Sequence, residues 1–271
     1  MPELPEVETS RRGIAPHIEG KRFQQVVIRQ TMLRWPIPVN LADLLPGRLL
    51  VGVSRRGKYL LLETAKGTLI LHLGMSGNLR ITSPQQALLK HDHVDFIFED
   101  GTVLRFNDPR KFGAVLWTSE PAERHPLLAA LGPEPLSAQF DAGYLLKKTN
   151  NRRTAIKSLI MDSHIVVGVG NIYANEALFN AGIRPQRPAG ELDANDCERL
   201  VSAIRSALER AIAMGGTTLR DFVNAEGKPG YFQQTLSVYG RKGQPCQLCT
   251  QPVELLKIAQ RASYYCPNCQ R

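Results

Sequence analysis

The stretch VDFIFEDGTVLRFN, residues Val94–Asn107, decides the fold of the first half of the chain. Its two apolar runs flank Asp100-Gly101, a pair that readily adopts the positive φ angles of a type I′ hairpin turn. Residues Val94–Glu99 and Thr102–Asn107 are therefore predicted to pair as antiparallel strands.

Other apolar runs lie on both sides of this hairpin and are separated by turn residues, as strands of a β domain are. They are Lys58–Glu63, Thr68–Leu73 and Ala114–Trp117. Because such strands bury their apolar faces against one another, roughly the first 130 residues are predicted to form a sandwich or a barrel.

The second half of the chain is predicted to be mostly helical. After Gly132–Pro135 the apolar period changes from two residues to about 3.6, which indicates a domain boundary. One predicted helix covers Asn171–Ala181 and is closed by Gly182. Another begins after the capping residue Asp193 and ends at Gly215.

Two glycine-rich segments accompany these helices. The sequence VGVGN at Val167–Asn171 leaves backbone amides available to bind phosphate at a helix N-terminus. A tight turn between packed helices has the same composition, and the residues alone do not separate the two interpretations. The second segment, 215–231, is predicted to be a mobile loop.

Four cysteines near the C-terminus have the spacing of a zinc site. Cys246-x2-Cys249 is followed after sixteen residues by Cys266-x2-Cys269. Four thiolates suit one tetrahedral Zn²⁺ and leave no open position for catalysis, so the zinc is predicted to be structural. The alternatives are redox-active pairs or two disulfides.

The residues between the cysteine pairs predict a small basic finger. Val253–Ile258 and Ala262–Tyr265 are predicted to form a β-hairpin with Arg261 near its tip, where a guanidinium is easily directed at phosphate. A module of about 35 residues is too small to fold by its own core, so zinc would order it.

The composition indicates a polyanionic partner. The 271 residues, enough for about two domains and a small module, include 34 Lys and Arg against 25 Asp and Glu, a net charge of +9. Such a balance favours nucleic acid. Two basic clusters, Arg55–Lys58 and Lys147–Lys157, are predicted to contact phosphate; the alternative is a solvated face.

The expected location is the cytoplasm. The N-terminal residues are rich in glutamate and lack the apolar core of a secretory signal. No segment approaches the roughly 20 apolar residues that span a bilayer, and no membrane partner is expected. In that compartment cysteines stay reduced unless they bind metal.

The N-terminal sequence Met1-Pro2-Glu3 offers a nucleophile beside an acid. Removal of Met1 would expose the secondary amine of Pro2, and an α-amino group titrates near ~7.7–8.0, so part of it is uncharged at neutral pH. Attack on a sugar aldehyde carbon would give a cationic iminium, which acidifies the next carbon–hydrogen bond. The alternative is the start of a helix, with Pro2 and Pro5 before it and with Glu6 and Glu8 in its first turn.

Together these features resemble the formamidopyrimidine-DNA glycosylase family of bacterial repair enzymes, along essentially the whole chain. The matching stretches are Pro2–Thr9 (PELPEVET), Arg56–Leu60 (RGKYL), His72–Gly77 (HLGMSG), Lys90–His93 (KHDH), Asp108–Gly113 (DPRKFG), Val167–Ala174 (VGVGNIYA) and Gln260-Arg261. Related endonuclease VIII proteins typically begin Pro-Glu-Gly-Pro-Glu, so Leu4 favours the purine branch.

The resemblance implies an α+β multidomain fold. It consists of an N-terminal antiparallel β-sandwich with an N-terminal helix, a helical domain with a helix–two-turns–helix motif, and a C-terminal four-cysteine zinc finger. The implied domains are 1–132, 133–236 and 237–271, with the loop 215–231 closing over the lesion. The implied partner is double-stranded DNA containing oxidised bases or abasic sites, bound by a monomer.

The resemblance also implies a bifunctional glycosylase and abasic-site lyase for 8-oxoguanine and formamidopyrimidines. Pro2 would attack C1′ and form a Schiff base, with Glu3 as general acid and base. Lys58 would donate a proton in β-elimination, and Arg261 would hold phosphate and assist δ-elimination. Two alternatives remain: an endonuclease VIII-like glycosylase for oxidised pyrimidines, and a non-catalytic zinc-finger protein that binds damaged DNA.

Six further residues match the DNA-contacting positions of the family. Because the lesion must leave the helix, the gap must be filled, and three of these residues would insert into it. The inserting residues are Met75, Arg110 and Phe112, and the residues at backbone-binding positions are His91, Arg152 and Asn171. Without the resemblance, Met75 and Phe112 would be assigned to the core.

Overall fold

The computed structural model describes residues 2–216 and 236–271. These residues belong to two compact units: one contains residues 2–129 and 214–216, and the other contains 130–213 and 236–271. Beyond Gly216, the loop expected at 215–231 lies outside the described residues. Within the described ranges, no helix has the length and apolar character needed to cross a membrane.

The first unit begins with helix α1, Leu4–Ile18. Pro5 occupies its second position, where a missing N–H costs nothing. The Glu6 carboxylate accepts a hydrogen bond from the Glu3 backbone N–H at 2.8 Å, which satisfies one of the amides left over at the helix start. The expected helix start at Pro5 and Glu6 is thus present, and it leaves Pro2 just outside the helix.

Two four-stranded antiparallel sheets follow α1 and confirm the predicted sandwich. The first has the order β1-β6-β7-β5 and the second β2-β3-β4-β8. The strands are β1 Phe23–Ile28, β2 Leu50–Arg56, β3 Tyr59–Thr64, β4 Gly67–His72, β5 Asn78–Thr82, β6 Asp92–Phe98, β7 Val103–Asn107 and β8 Ala114–Thr118. Two short helices, α2 Leu41–Leu44 and α3 Pro126–Ala129, and a 3₁₀ turn at Ala122–Arg124 complete the unit. Both sheets contribute to one apolar core, which includes Phe23, Leu62, Leu71 and Phe96.

The predicted hairpin is confirmed in pairing but wrong in turn type. Strands β6 and β7 pair antiparallel, and Gly101 N–H donates to Phe98 O at 2.9 Å. Gly101 has φ 84°, whereas Asp100 is absent from the non-glycine residues with positive φ. Instead, the Asp100 carboxylate accepts from Thr102 N–H at 3.0 Å. The loop is therefore a type I turn followed by a glycine bulge rather than type I′.

The second unit is helical with a terminal hairpin. Among the described residues its elements are α4 Ala142–Thr149, α5 Ile156–Ile160, α6 Asn171–Ala181, a 3₁₀ turn at Ala189–Glu191, α7 Ala194–Ala213, β9 Glu254–Ile258 and β10 Arg261–Tyr265. Gly182 closes α6 in the left-handed conformation, and the Asp193 carboxylate caps α7 through Asp196 N–H at 2.7 Å, both as predicted. The buried side chains of α7 include Leu200, Ile204 and Leu208.

Candidate active site and DNA-binding residues

The two candidate catalytic residues at the N-terminus are both buried. Glu3 is 3% exposed and caps α1 with extended backbone angles, and Pro2 precedes it. Because the Glu3 N–H donates to the Glu6 carboxylate within the first turn, α1 holds the residue next to Pro2 in place, at the positive end of the helix dipole.

A charged side-chain cluster connects this helix to the candidate lysine. Glu8 on α1 accepts from Arg11 at 2.9 Å, from Arg12 at 2.8 Å and from Arg55 Nε at 3.3 Å. Arg55 also donates through Nη1 to Gly57 O at 2.8 Å. The cluster thus ties the helix that presents Pro2 to the turn between β2 and β3.

The ionisation of Glu8 reflects these partners. Burial alone would raise the pKa of Glu8. Hydrogen bonds from Arg11 and Arg12, together with the charges of Arg11 and Arg55, outweigh it and lower the pKa to about 2. The carboxylate is therefore ionised wherever the protein is folded near neutral pH.

Lys58 occupies the tip of the β2–β3 hairpin. Arg56 pairs with Tyr59, so Gly57 and Lys58 form a two-residue turn. Gly57 has φ 58°, the positive angle that the first position of a type II′ turn requires. Such a turn projects Lys58, which is half-buried, from the end of the sheet.

His72 lies beside this lysine and was not assigned from the sequence. It ends β4 opposite Tyr59, with ring centroids 4.8 Å apart. Its Nδ1 accepts from Gly74 N–H at 3.0 Å, which leaves the hydrogen on Nε2 when the ring is neutral. Burial, and then the positive charges of Lys58 and Arg34, lower the pKa of His72 to about 4.

The predicted inserting residues lie on two loops that touch. Phe112 is 44% exposed, which is unusual for an aromatic side chain and excludes the core assignment. The Arg110 guanidinium lies 5.1 Å from its ring centroid. A Cβ atom on Gly74 would come within 2.4 Å of the Phe112 carbonyl carbon, so the backbones of the two loops are in contact. Met75 follows that glycine directly.

His91 joins the same region through the backbone. It has φ 74°, an uncommon angle for a residue with a side chain. Its carbonyl oxygen accepts from Asp108 N–H at 3.1 Å, and Asp108 leads into the loop that carries Arg110. The first unit therefore brings His91 near the three inserting residues.

In the second unit, Asn171 and the finger are in direct contact. Asn171 begins α6, and its Nδ2 donates to Ala262 O at 3.1 Å, next to Arg261. Arg261 is exposed beside the two-residue turn of the finger hairpin, where Ala259 and Gln260 both have positive φ. The structure thus places two predicted phosphate-contacting residues side by side.

The basic cluster of the second unit divides into exposed and buried members. Arg152 and Arg153 are exposed, as a phosphate-contacting surface requires. Lys157 is 1% exposed and donates to Ala262 O and Ser263 Oγ, both at 2.7 Å. Both the predicted phosphate contact and the solvated-face alternative are therefore wrong for Lys157, which instead binds the finger to α5.

The four predicted zinc ligands converge. Their Sγ atoms all lie within 4.8 Å of one another, and all four cysteines are free thiols, which excludes two disulfides. Backbone N–H groups of Leu248 and Cys269 donate to Cys246 Sγ and Cys266 Sγ at 3.4 Å. Such bonds stabilise thiolates, so the donor set fits one structural Zn²⁺.

Three family models match the chain. The formamidopyrimidine-DNA glycosylase N-terminal domain matches residues 1–115, and the H2TH domain of the same enzymes matches residues 131–223. The zinc finger found in FPG and IleRS matches residues 243–271, which include the four cysteines.

Individual relatives match over the full length. The formamidopyrimidine-DNA glycosylase of Methylococcus capsulatus is 59% identical over 271 residues, all of both chains. A Lactococcus lactis FPG mutant solved with Fapy-dG containing DNA is 34% identical with a TM-score of 0.92, and all of both chains is covered. The Lactococcus lactis Fpg solved with abasic-site DNA is 33% identical, with the same TM-score and coverage. The chain therefore belongs to the formamidopyrimidine-DNA glycosylase family.

Proposed function

We propose that this protein is a bifunctional DNA glycosylase and abasic-site lyase that removes 8-oxoguanine and formamidopyrimidines from duplex DNA. The relatives named above, one bound to Fapy-dG DNA and one to abasic-site DNA, support this substrate class. The observation that carries the proposal is the N-terminal arrangement. A buried Pro2-Glu3 pair is tied through Glu8 and Arg55 to the turn that presents Lys58.

The reaction begins at the amine of Pro2 after Met1 has been removed. Its nitrogen lone pair forms a bond to C1′ of the damaged nucleotide, and the glycosidic bond breaks with its electron pair leaving on the base. The Pro2 nitrogen gives up its N–H proton, which neutralises the departing base. Its lone pair then forms a second bond to C1′ as the C1′–O4′ electron pair passes to O4′, which takes a proton from Glu3. The product is an iminium between Pro2 and C1′.

Strand cleavage follows from this iminium. The Glu3 carboxylate takes a C2′ proton, the C2′–H electrons move toward the cationic nitrogen, and the 3′ phosphate then leaves by β-elimination. Lys58 supplies a proton in this step and contacts the phosphate of the lesion. Loss of the 5′ phosphate by δ-elimination completes the excision, with Arg261 holding phosphate on the finger.

Base flipping is assigned to the loops of the first unit. Met75 and Phe112 fill the gap left by the lesion, and the Arg110 guanidinium meets the acceptor atoms of the unpaired cytosine. His91, Arg152 and Asn171 are assigned to backbone phosphates. We further place the protein in the cytoplasm as a monomer, associated with nucleoid DNA when it acts.

The zinc-binding cysteines have a supporting role. Zn²⁺ would be held by Cys246, Cys249, Cys266 and Cys269, and it supplies no chemistry to the reaction because its coordination is complete. Its effect is to keep the hairpin that carries Arg261 folded.

An excision assay on a small lesion panel tests the substrate class. Duplexes carrying 8-oxoguanine opposite cytosine, a formamidopyrimidine, thymine glycol, or no lesion would be incubated with enzyme whose intact mass shows loss of Met1. The two purine lesions should be released and the strand cut. Faster release of thymine glycol would favour the endonuclease VIII-like alternative. Binding without release of any base would favour the non-catalytic alternative.

A further inference from the structure

Asp108 lies where the segments carrying the proposed inserting residues meet. It directly follows β7, and its side chain is 0% exposed. Met75 lies on one adjoining loop, and Arg110 and Phe112 lie on the other. Because burying a carboxylate is costly unless it is hydrogen-bonded, its partners indicate its role.

The Asp108 carboxylate accepts hydrogen bonds from both loops. Its Oδ1 accepts from Ser76 Oγ at 3.1 Å and from the Arg110 backbone N–H at 3.3 Å. Its Oδ2 accepts from Gly113 N–H at 2.7 Å. Ser76 directly follows Met75, whereas Arg110 and Gly113 lie at the two ends of the segment that contains the aromatic side chain. One carboxylate therefore joins the two loops.

The backbone of Asp108 holds a third segment. Its N–H donates to His91 O at 3.1 Å, and its carbonyl oxygen accepts from His93 Nε2 at 2.9 Å. A left-handed conformation such as that of His91 persists only when surrounding contacts fix it. The same residue that joins the two loops therefore also fixes this conformation.

We propose that Asp108 is a positioning residue for lesion recognition. By holding the Met75 loop, the Phe112 loop and the backbone of His91 together, it presets the inserting side chains before DNA binds. It acts on base flipping and gap filling and not on bond breaking at C1′. The inference rests on the proposed function, because it assumes that these side chains enter the duplex.

The variant Asp108→Asn tests this role while keeping the side-chain volume. One acceptor oxygen becomes a donor amide, so one loop loses its partner and faces a like group. Two substrates separate flipping from chemistry. A duplex with 8-oxoguanine opposite cytosine needs insertion, whereas a single strand with an abasic site has no base to flip and no opposite strand. The parent protein must cut both substrates, and its failure to excise 8-oxoguanine from the duplex would overturn the proposed function instead.

The expected result is a selective loss. Single-turnover excision from the duplex should fall by about tenfold or more, the usual effect of losing a charged acceptor, while abasic cleavage on the single strand stays within about twofold. Ser76→Ala removes only the hydrogen bond from Ser76 to Asp108 and should cause a smaller loss of duplex excision. It replaces Asp108→Asn as the test variant if that variant does not fold. An equal loss on both substrates would overturn the proposal.

Two controls distinguish positioning from general destabilisation. Asp95→Asn removes another buried carboxylate of the same sheet, one that pairs with Arg105 and Arg29. It should lower Tm without changing the ratio of the two activities, and an equal change in that ratio would overturn the proposal. In a double-mutant cycle, Asp108→Asn should have little further effect in a Phe112→Ala background. Independent, multiplying effects would also contradict the proposal.

Discussion

His72 is a residue whose protonation is set by its surroundings. Burial and the charge of Lys58 lower its pKa to about 4, below the value of an exposed imidazole. The neutral ring therefore predominates in the folded protein above about pH 5. A neutral His72 adds no second positive charge beside Lys58, and its Nε2–H remains available as a donor.

An NMR titration checks this prediction. Between pH 8 and about pH 5, the imidazole signal that disappears in His72→Gln should move by no more than about a tenth of its full titration shift. The free energy of unfolding should also depend on the protonation of His72. The contribution of His72 is complete above its unfolded pKa near 6.5 and is lost as pH falls toward 4. A midpoint at or above 6.5 would show that the ring is not held neutral.

Glu8 also contributes to the stability of the fold in a pH-dependent way. Glu8 is an acid and His72 is a base, but both contributions are lost as the pH falls. The pKa of Glu8 falls from 4.5 to about 2 on folding, so its contribution is complete above pH 4.5 and is lost as pH falls toward 2. Allowing for its partial solvent contact, Glu8→Gln should cost about 1–2 kcal/mol at pH 7. Urea unfolding at several pH values measures this cost, which should shrink below pH 4. Glu123→Gln, at an exposed position, is the matched control, and an equal cost there would contradict the assignment.

The sequence identified some of these residues and missed others for a physical reason. Pro2, Glu3 and Lys58 were found because their chemistry or their motif is visible locally, and their catalytic roles stay predictions. The Glu8–Arg55 pair joins residues 47 positions apart, and His72 acquires its character from burial. Neither property is encoded by a local pattern.

Among the elements, helices and strands were predictable, whereas turn geometry was less so. The apolar periods of α7 and the β6–β7 hairpin depend on which side chains are buried, and that pattern is present in the sequence. The turn at Asp100-Gly101 differs from type I′ because the Asp100 carboxylate binds Thr102 N–H. The general preference of Asp-Gly for type I′ turns does not show whether the aspartate side chain will bind a nearby backbone N–H and so favour another turn type.

Helix α6 holds the beginning of the finger through one carboxylate. Glu176 is 3% exposed and accepts three backbone N–H groups, from Ser237 at 2.8 Å, Val238 at 3.0 Å and Tyr239 at 2.9 Å. Glu176→Gln should destabilise the second unit by about 2 kcal/mol, because an amide group then meets N–H donors. Hydrogen exchange at residues 237–239 measures the effect, and unchanged protection there would contradict it.

In the second unit, the finger is predicted to depend on zinc for its folding. Among the residues that the structure describes, the apolar cluster of the finger is small and includes Phe179, Val238 and Val253, too few to replace the metal. Chelation should unfold the finger and abolish cleavage of lesion duplexes, while the β-sheet circular dichroism of the first unit persists. Added Zn²⁺ should restore both the folded finger and the cleavage of lesion duplexes.

Two single cysteine variants, one at a zinc ligand and one elsewhere, provide the control for zinc binding. Cys246→Ser should lower the zinc content and cleavage together. Cys197→Ala, at a buried position of α7 away from the four thiolates, should leave one zinc per chain. Full cleavage activity in a zinc-free Cys246→Ser protein would show that the finger does not need the metal.

At the scale of the whole molecule, the proposed reaction depends on attack of Pro2 on the lesion sugar. Borohydride should reduce the iminium formed on a duplex containing 8-oxoguanine opposite cytosine, and mass spectrometry should find one covalent DNA adduct on the N-terminal peptide at Pro2. Protein that retains Met1, and Pro2→Gly used as a chemical control, should give far less adduct at that residue. No adduct from protein lacking Met1, or an adduct on another residue with Pro2 unmodified, would contradict the assignment of Pro2 as the nucleophile.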